Sequence, residues 1–349
     1  MKIFNRTNAL IVPAVNDFKG NGFIHGLTED SCEGIDNSNL ELFRDGLSLL
    51  SKAPRDQYLQ ENTVQKLPGR YLYCGVLPTH FGHLLSEGCH RFWAYQQVKD
   101  VIDGVIILPD TENKMLGKAA ALIQYFNIPK KMIKSIYGLT EVEELFIPEP
   151  ASQLGATTYL DYSRKLKEVT NFNTLNVSNK PEKLFISRRQ FKSVGRVAGF
   201  DAVAKIFEKN GFVEFLPEKF SLEEQLSHLK AAKVIVWEEG SAIHLLDILP
   251  KLRAKMLLIR RRPDYGEFDS IVKSKADEFE IYNNVDFLDI DAPPHNKMSR
   301  LCCIDSFFNF LSDHKICVDH IDMLSFLREE SFDIQSQYAK NLNLKVSVR

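Results

Sequence analysis

Residues 183–190, KLFISRRQ, and residues 211–250, GFVEFLPEKFSLEEQLSHLKAAKVIVWEEGSAIHLLDILP, decide the fold. Short apolar runs at 184–186, 213–216, 234–237 and, just beyond, 256–259 are separated by segments with helical patterning. Runs of that length with helices between them are the signature of parallel strands joined by crossovers and buried on both faces. In an open parallel sheet, ligands bind outside the carboxyl ends of the strands. Those ends carry Ser187, Arg188 and Arg189 after the first run, and Glu238, Glu239, Gly240 and Ser241 after the third.

The residue types at these ends suit a phosphorylated ligand. Ser241 is placed to cap a helix carrying Ile243, Leu245, Leu246, Ile248 and Leu249, and Gly240 lets a ligand approach the backbone closely. A helix start of this kind attracts phosphate. Arg188, Arg189 and Arg196 add planar cationic forks that match a diphosphate. The same arginines would serve equally as solvated charges at a sheet edge, and no Gly-rich fingerprint or Walker sequence is present to decide between the two. Glu239 reads as a ligand for a donor sugar hydroxyl, as a base, or as the plain acidic end of a strand. His244, one turn into the helix, either reaches the same pocket or packs on the sheet.

The spaced set FISRR at 185–189, Arg196, Gly211-Phe212, Pro217-Glu218, Ser221, Gln225 and Gly240-Ser241-Ala242 resembles the C-terminal half of glycosyltransferase family 61 and the related bacterial capsular polysaccharide biosynthesis proteins. The family usually has His-Gly where this chain has Glu239-Gly240, and Asn-Glu where it has Val197-Ala198-Gly199. Gly-His-Leu-Leu-x-Glu at 82–87 is similar to the family's Gly-His-Phe-x-x-Asp/Glu segment and extends the resemblance over roughly residues 70 to 260. The resemblance implies an α/β chain of two Rossmann-like domains facing across a cleft (GT-B type), with the donor mainly on the C-terminal side and the acceptor on the N-terminal side. It also implies an inverting, metal-independent hexosyl- or pentosyltransferase. Its nucleotide-sugar donor, a UDP-sugar in the first instance, is a co-substrate rather than a cofactor. The acceptor would be a glycan or lipid-linked glycan of bacterial capsule or lipopolysaccharide.

In residues 79–90, THFGHLLSEGCH, an early helix start would put His80, His83, Glu87 and His90 on one face. Three roles compete for them. The spacing allows a zinc site, although the His-Glu-x-x-His order is absent and Pro78 and Gly82 interrupt an early helix. A structural histidine bridging elements is the second role. The third is catalytic: an inverting sugar transfer needs a base to take the acceptor hydroxyl proton. His83 with Glu87 is the chosen pair, with either one as the base.

A chain of 349 residues exceeds one ordinary core. The expected division is an N-terminal acceptor-side α/β domain at 1–175, a C-terminal nucleotide-sugar domain at 176–300, and helices at 301–349 that pack back on the first domain. Residues 161–179, rich in Asn, Thr and Ser, are the linker candidate. The first domain is expected to hold strands at 70–76, 101–108, 131–136 and 145–147. Its helices fall at 83–98, with Leu84, Leu85, Phe92 and Trp93 buried, and at 119–126. Segments 279–282 and 285–288 are expected to close the second sheet. Residues 1–70 carry little pattern beyond an amphipathic stretch at 40–50.

A formal charge of −2 and the lack of a basic block with interleaved aromatics exclude nucleic acid as an expected partner. The apolar run near the start is closed by Pro13 and is too short for a signal or a span. The expectation is a cytoplasmic protein, with peripheral contact at the inner face of the membrane through basic residues 251–262 as the alternative and a homodimer left open. Arg260, Arg261 and Arg262 in that segment read either as phosphate ligands or as solvated loop charges. Six cysteines without Cys-x-x-Cys spacing read as reduced structural thiols, with Cys302 and Cys303 in a helix. Asp289-Ile290-Asp291 supplies the minority reading of a metal-assisted donor site. Two further rivals are an epimerase or hydrolase on the same scaffold and an inactive nucleotide- or glycan-binding relative.

Overall fold

The structure is a computed structural model and describes residues 1–13, 26–28, 30–33, 35, 43–44, 47–48, 56, 59–60, 63–109, 116–152, 161–191, 195–289, 296–318 and 323–341. It is a mixed α/β chain that divides into two compact units. One holds Met1–Leu175 with His244–Lys251, and the other holds Asn176–Ile243 with Leu252–Arg349.

The strands of the first unit are β1 (Ile3–Val12), β2 (Gly26–Leu27), β3 (Phe43–Arg44), β4 (Leu47–Ser48), β5 (Gln65–Leu77), β6 (Gly104–Pro109), β7 (Ile133–Ser135) and β8 (Thr140–Pro148). Its six-stranded sheet runs β2-β1-β8-β5-β6-β7. The sheet is mixed, unlike that of the expected Rossmann-like domain. β5 pairs in parallel with β6 and β8, but β1 runs antiparallel to β8 and to β2. The four expected strands correspond to β5, β6, β7 and β8, whereas β1 lies in the stretch that carries little pattern. Its burial explains the silence: residues 3–8 include none that are buried, and only Ala9–Val12 enter the core as a continuous apolar run. The pair β3 and β4 forms its own two-residue ladder. The linker candidate at 161–179 contains a helix, Tyr162–Val169, and a 3-10 turn, Asn171–Thr174, before the unit boundary. Tyr162, Leu166 and Val169 are buried, so four-residue spacing of apolar groups outweighs the polar composition. The amphipathic stretch at 40–50 falls almost wholly outside the described residues.

The second unit is built on β9 (Lys183–Ile186), β10 (Val213–Phe215), β11 (Val234–Glu238), β12 (Lys255–Ile259) and β13 (Glu278–Tyr282), all parallel, in the order β10-β9-β11-β12-β13. Helices Phe200–Lys209 and Leu222–Ala231 supply two of the crossovers. The second has a full capping box, with Ser221 accepting from the Glu224 amide and Glu224 accepting from the Ser221 amide. Phe185, at the sheet centre, stacks on Phe207 of the first helix with ring centroids 4.4 Å apart. Burying a side chain of this size contributes roughly 1.5–3 kcal/mol.

Two expectations for the C-terminal region are corrected. Segment 285–288 leaves the main sheet: β14 (Val285–Phe287) pairs antiparallel with β15 (Ser299–Leu301) in a separate ladder. Cys302 and Cys303 are both exposed and precede the helix Ile304–Asp313, with Cys303 at its N-cap. The helix Met323–Asn341 packs on the helix Phe200–Lys209. Asp333 draws it there by accepting from the Gly199 amide at 2.9 Å and from the Arg196 guanidinium.

Candidate active site

In the second unit the strand order places a topological switch between β9 and β11. From β9 the chain goes out to β10 on one side and then crosses to β11 on the other. A ligand crevice forms at such a point, at the carboxyl ends of the strands. The pairings Trp237 with Ile186 and Glu238 with Ile259 bring the ends of β9, β11 and β12 to one edge. That edge therefore gathers Ser187–Arg189, Glu238–Ser241 and Arg260–Arg262.

Glu238 is buried at the end of β11 and anchors the loop after β9. Its carboxylate accepts from the Arg188 amide at 2.6 Å and from the Val197 amide at 3.4 Å. Burial raises its pKa above the ordinary carboxylate range, with the charge of Arg188 and the two amides pulling the other way. Ser187 is also buried and closes the turn locally by accepting from the Arg189 amide at 3.1 Å. Arg188 then lies across Gly240. A Cβ at residue 240 would meet Arg188 Cδ at 2.8 Å, so the glycine is required by the arginine as well as by any ligand. The other face of the Arg188 guanidinium covers the Phe191 ring at 4.9 Å. Burial lowers its pKa despite the nearby carboxylates of Glu238 and Glu239, and Arg262 pushes in the same direction.

The other sequence candidates separate. Arg189 is half-exposed and pairs with Glu214 at 2.9 Å. Arg196 is 0% exposed, and its two terminal nitrogens are engaged inside the unit, donating to the Arg189 carbonyl at 2.9 Å, to Asp201 at 3.3 Å and to Asp333. Burial alone would lower its pKa, and Asp333 and Asp201 more than reverse that. Arg196 is thus placed as an internal tie rather than at the strand ends. Ser241 is partly exposed and opens a 3-10 helix, Ser241–Ile248, in place of the expected α-helix. The segment from His244 onward belongs to the first unit, where His244 Nδ1 and Asp247 Oδ2 are 2.9 Å apart and both residues are buried.

Glu239 is 0% exposed. Its carboxylate accepts from the Arg261 amide at 3.0 Å, from the Arg262 amide at 3.1 Å and from Arg262 Nε. The side chain ties the loop after β12 to the end of β11. The three arginines of that loop, which bends directly after β12, have different surroundings. Arg260 pairs with Asp269. Arg262 is held by Glu239 and covers the Tyr265 ring at 3.2 Å. Arg261 is 4% exposed, and its pKa is pushed down to about 10, first by burial and next by the charge of Arg188. In the sequence these arginines form one undifferentiated basic run. The signal that distinguishes them is their position after the strand adjacent to β11, which only the pairing reveals.

In the first unit the expected long helix at 83–98 is broken into an α-turn (Phe81–His83), a π-turn (Leu84–Gly88), a 3-10 turn (Phe92–Ala94) and a short α-helix (Tyr95–Val98). Gly88 explains the irregularity: it packs so closely that a Cβ would lie 3.1 Å from Pro78 and 3.2 Å from Leu77. π-turns occur frequently at functional sites. The four-residue face is consequently divided. His80 remains outside the helix in extended conformation, with its ring 4.9 Å from that of His83. His90 is buried with its ring edge-on to Tyr162 at 5.7 Å. His83 and Glu87 stay together, with Nδ1 to Oε1 at 2.8 Å, the imidazole 30% exposed and the carboxylate buried. A carboxylate only accepts, so in a neutral imidazole Nδ1 carries the hydrogen and Nε2 the lone pair. Such a pair can act as an oriented base for a hydroxyl proton.

Among the described residues no group of three or more His, Cys, Asp or Glu side chains could hold a metal ion. Of Asp289-Ile290-Asp291, only Asp289 lies within the described residues. No helix among the described residues is long and apolar enough to cross a membrane.

Residues 81–254, about half of the chain, match the family model described as Glycosyltransferase 61. The match begins with the helical turn that bears His83 and runs through the strand ends that bear Arg188 and Glu239. No curated protein matches the chain.

Proposed function

The chain is a glycosyltransferase carrying a family 61 domain over residues 81–254, and on that premise we propose that it is an inverting, metal-independent enzyme of GT-B type. It would move a sugar from a nucleotide sugar to a glycan or lipid-linked glycan acceptor in bacterial surface polysaccharide synthesis. The C-terminal unit takes the donor and the N-terminal unit the acceptor. The observation that carries the donor reading is Arg188, held by Glu238 and Gly240 at the switch point of a parallel sheet.

The proposed reaction is a single displacement. The imidazole of His83, oriented by Glu87, takes the proton of the acceptor hydroxyl as its oxygen attacks the anomeric carbon, and the bond from that carbon to the nucleoside diphosphate breaks on the opposite face. The electron pair leaves with the diphosphate, and a guanidinium fixed beforehand stabilises that charge as it develops. Attack opposite to departure inverts the anomeric configuration.

A thermal-shift series with UDP, GDP, CMP and dTDP, with and without EDTA, on the wild type and on Arg188→Ala tests the donor reading. Stabilisation by one nucleotide that persists in EDTA and disappears in the variant is the expected result. A shift that requires a divalent ion, or one that is unchanged in a folded Arg188→Ala protein, overturns it.

A further inference from the structure

We propose that Arg261, together with Arg188, forms a preassembled receptor for a diphosphate at the joined ends of β9, β11 and β12, with Glu239 as the positioning residue that sets Arg261 in place. The inference deepens the donor reading above and rests on it for the identity of the ligand.

Three observations support it. The first is the way the loop is tied. Glu239 accepts from two successive amides, those of Arg261 and Arg262, and from Arg262 Nε, so one fully buried carboxylate fixes the backbone on which Arg261 stands. Arg262, held by that carboxylate and covering Tyr265, and Arg260, paired with Asp269, act as flanking anchors. The second is placement. β12 neighbours β11, whose other neighbour is β9, so the Arg261 loop and the Arg188 loop flank the Gly240 turn from its two sides. The third is charge. Burial first, and then the charge of Arg188, push the Arg261 pKa down to about 10, while Glu239 and Glu238 pull it back only in part. An anion carrying charge on both of its ends adds counter-charge to the buried Arg261 and the partly buried Arg188 together. A diphosphate meets that requirement through paired N–H donors, which orthophosphate can satisfy only at one end.

At residue 239 the chain uses an acceptor that organises arginines.

The test is isothermal titration of the full-length protein with inorganic pyrophosphate, orthophosphate and the nucleoside diphosphates. The proteins are the wild type, Arg261→Met, and Arg253→Met as an exposed control. The expected result is that pyrophosphate binds the wild type more tightly than orthophosphate does, and that Arg261→Met weakens pyrophosphate and nucleoside diphosphate about 10- to 100-fold while Arg253→Met leaves both unchanged. The melting temperature of Arg261→Met without added ligand should equal or exceed that of the wild type, because a repelling charge is removed. A purely structural arginine would lower it. Equal pyrophosphate affinity in wild type and Arg261→Met, or no pyrophosphate binding by the wild type, overturns the proposal. Pyrophosphate binding that depends on Arg261 in a protein that binds no nucleoside diphosphate leaves the receptor standing and removes the donor reading. If Arg261→Met fails to fold, Arg261→Lys keeps the charge without the fork and should show a smaller loss of pyrophosphate affinity. Wild-type affinity in that variant counts against the proposal. For Glu239, the variant Glu239→Gln should raise the donor KM with little change in kcat, whereas a uniform fall in kcat would assign it to general stability.

Discussion

At the residue scale, the pair His83 and Glu87 makes the most direct prediction. With Nδ1 bonded to the buried carboxylate, His83→Ala removes the proposed base, and kcat should fall about 10²- to 10⁴-fold. The donor KM should stay within a few-fold, and the pH–rate profile should lose its acidic limb. Steady-state kinetics across pH read all three, and an unchanged kcat would exclude His83 as the base. A second residue, Gly199, shows how tightly a neighbouring turn is built. Its φ is +78°, and a Cβ at this position would lie 2.8 Å from the Phe326 ring. Gly199→Ala should therefore destabilise the protein by about 1–2 kcal/mol for the backbone alone, seen as a lower urea midpoint. Arg196 marks the limit of sequence reading at this scale. In the chain it is one more arginine following FISRR. Its destination depends on Asp333, 137 residues away, and no local pattern records that distance.

At the element scale, local rules served well where a segment satisfies itself. The helix Leu222–Ala231 begins at Ser221 with Glu224 three residues on, and both halves of the capping box form. Ser221→Ala should cost about 1 kcal/mol in chemical denaturation and leave the donor KM unchanged. A large KM effect would show that the helix start does more than end a strand crossover. The helix Met323–Asn341 is the opposite case, since it is anchored by one buried acid. Asp333→Asn strips the main counter-charge from a guanidinium with no exposure, and breaking a buried pair from one side costs about 3–5 kcal/mol. Urea denaturation of the full chain should show it, and a loss under about 1 kcal/mol would mean that Asp201 alone suffices for Arg196. The segment 83–98 was legible as helical with the correct buried residues, Leu84, Leu85, Phe92 and Trp93, yet its breaks were not. They arise from close contact of Gly88 with the end of β5, a tertiary event.

At the scale of the whole molecule, the reaction itself is the prediction. Product should form only when donor and a separate acceptor are both present, and its rate should survive EDTA. Radiolabel transfer with each component omitted in turn measures this. Release of free sugar at the same rate without acceptor would point to a hydrolase, and interconversion of the donor to an epimerase. The parallel strands of the second unit and the pairing of His83 with Glu87 follow from the sequence by itself, because short apolar runs and a four-residue step are local physics. The antiparallel β1, the internal role of Arg196, the capture of the last helix by its own unit and the separate positions of Arg260, Arg261 and Arg262 were decided only by the tertiary structure. Each of these depends on which strand or helix lies alongside which, and on where a buried charge finds its counter-charge, and neither is encoded within the span of a single element.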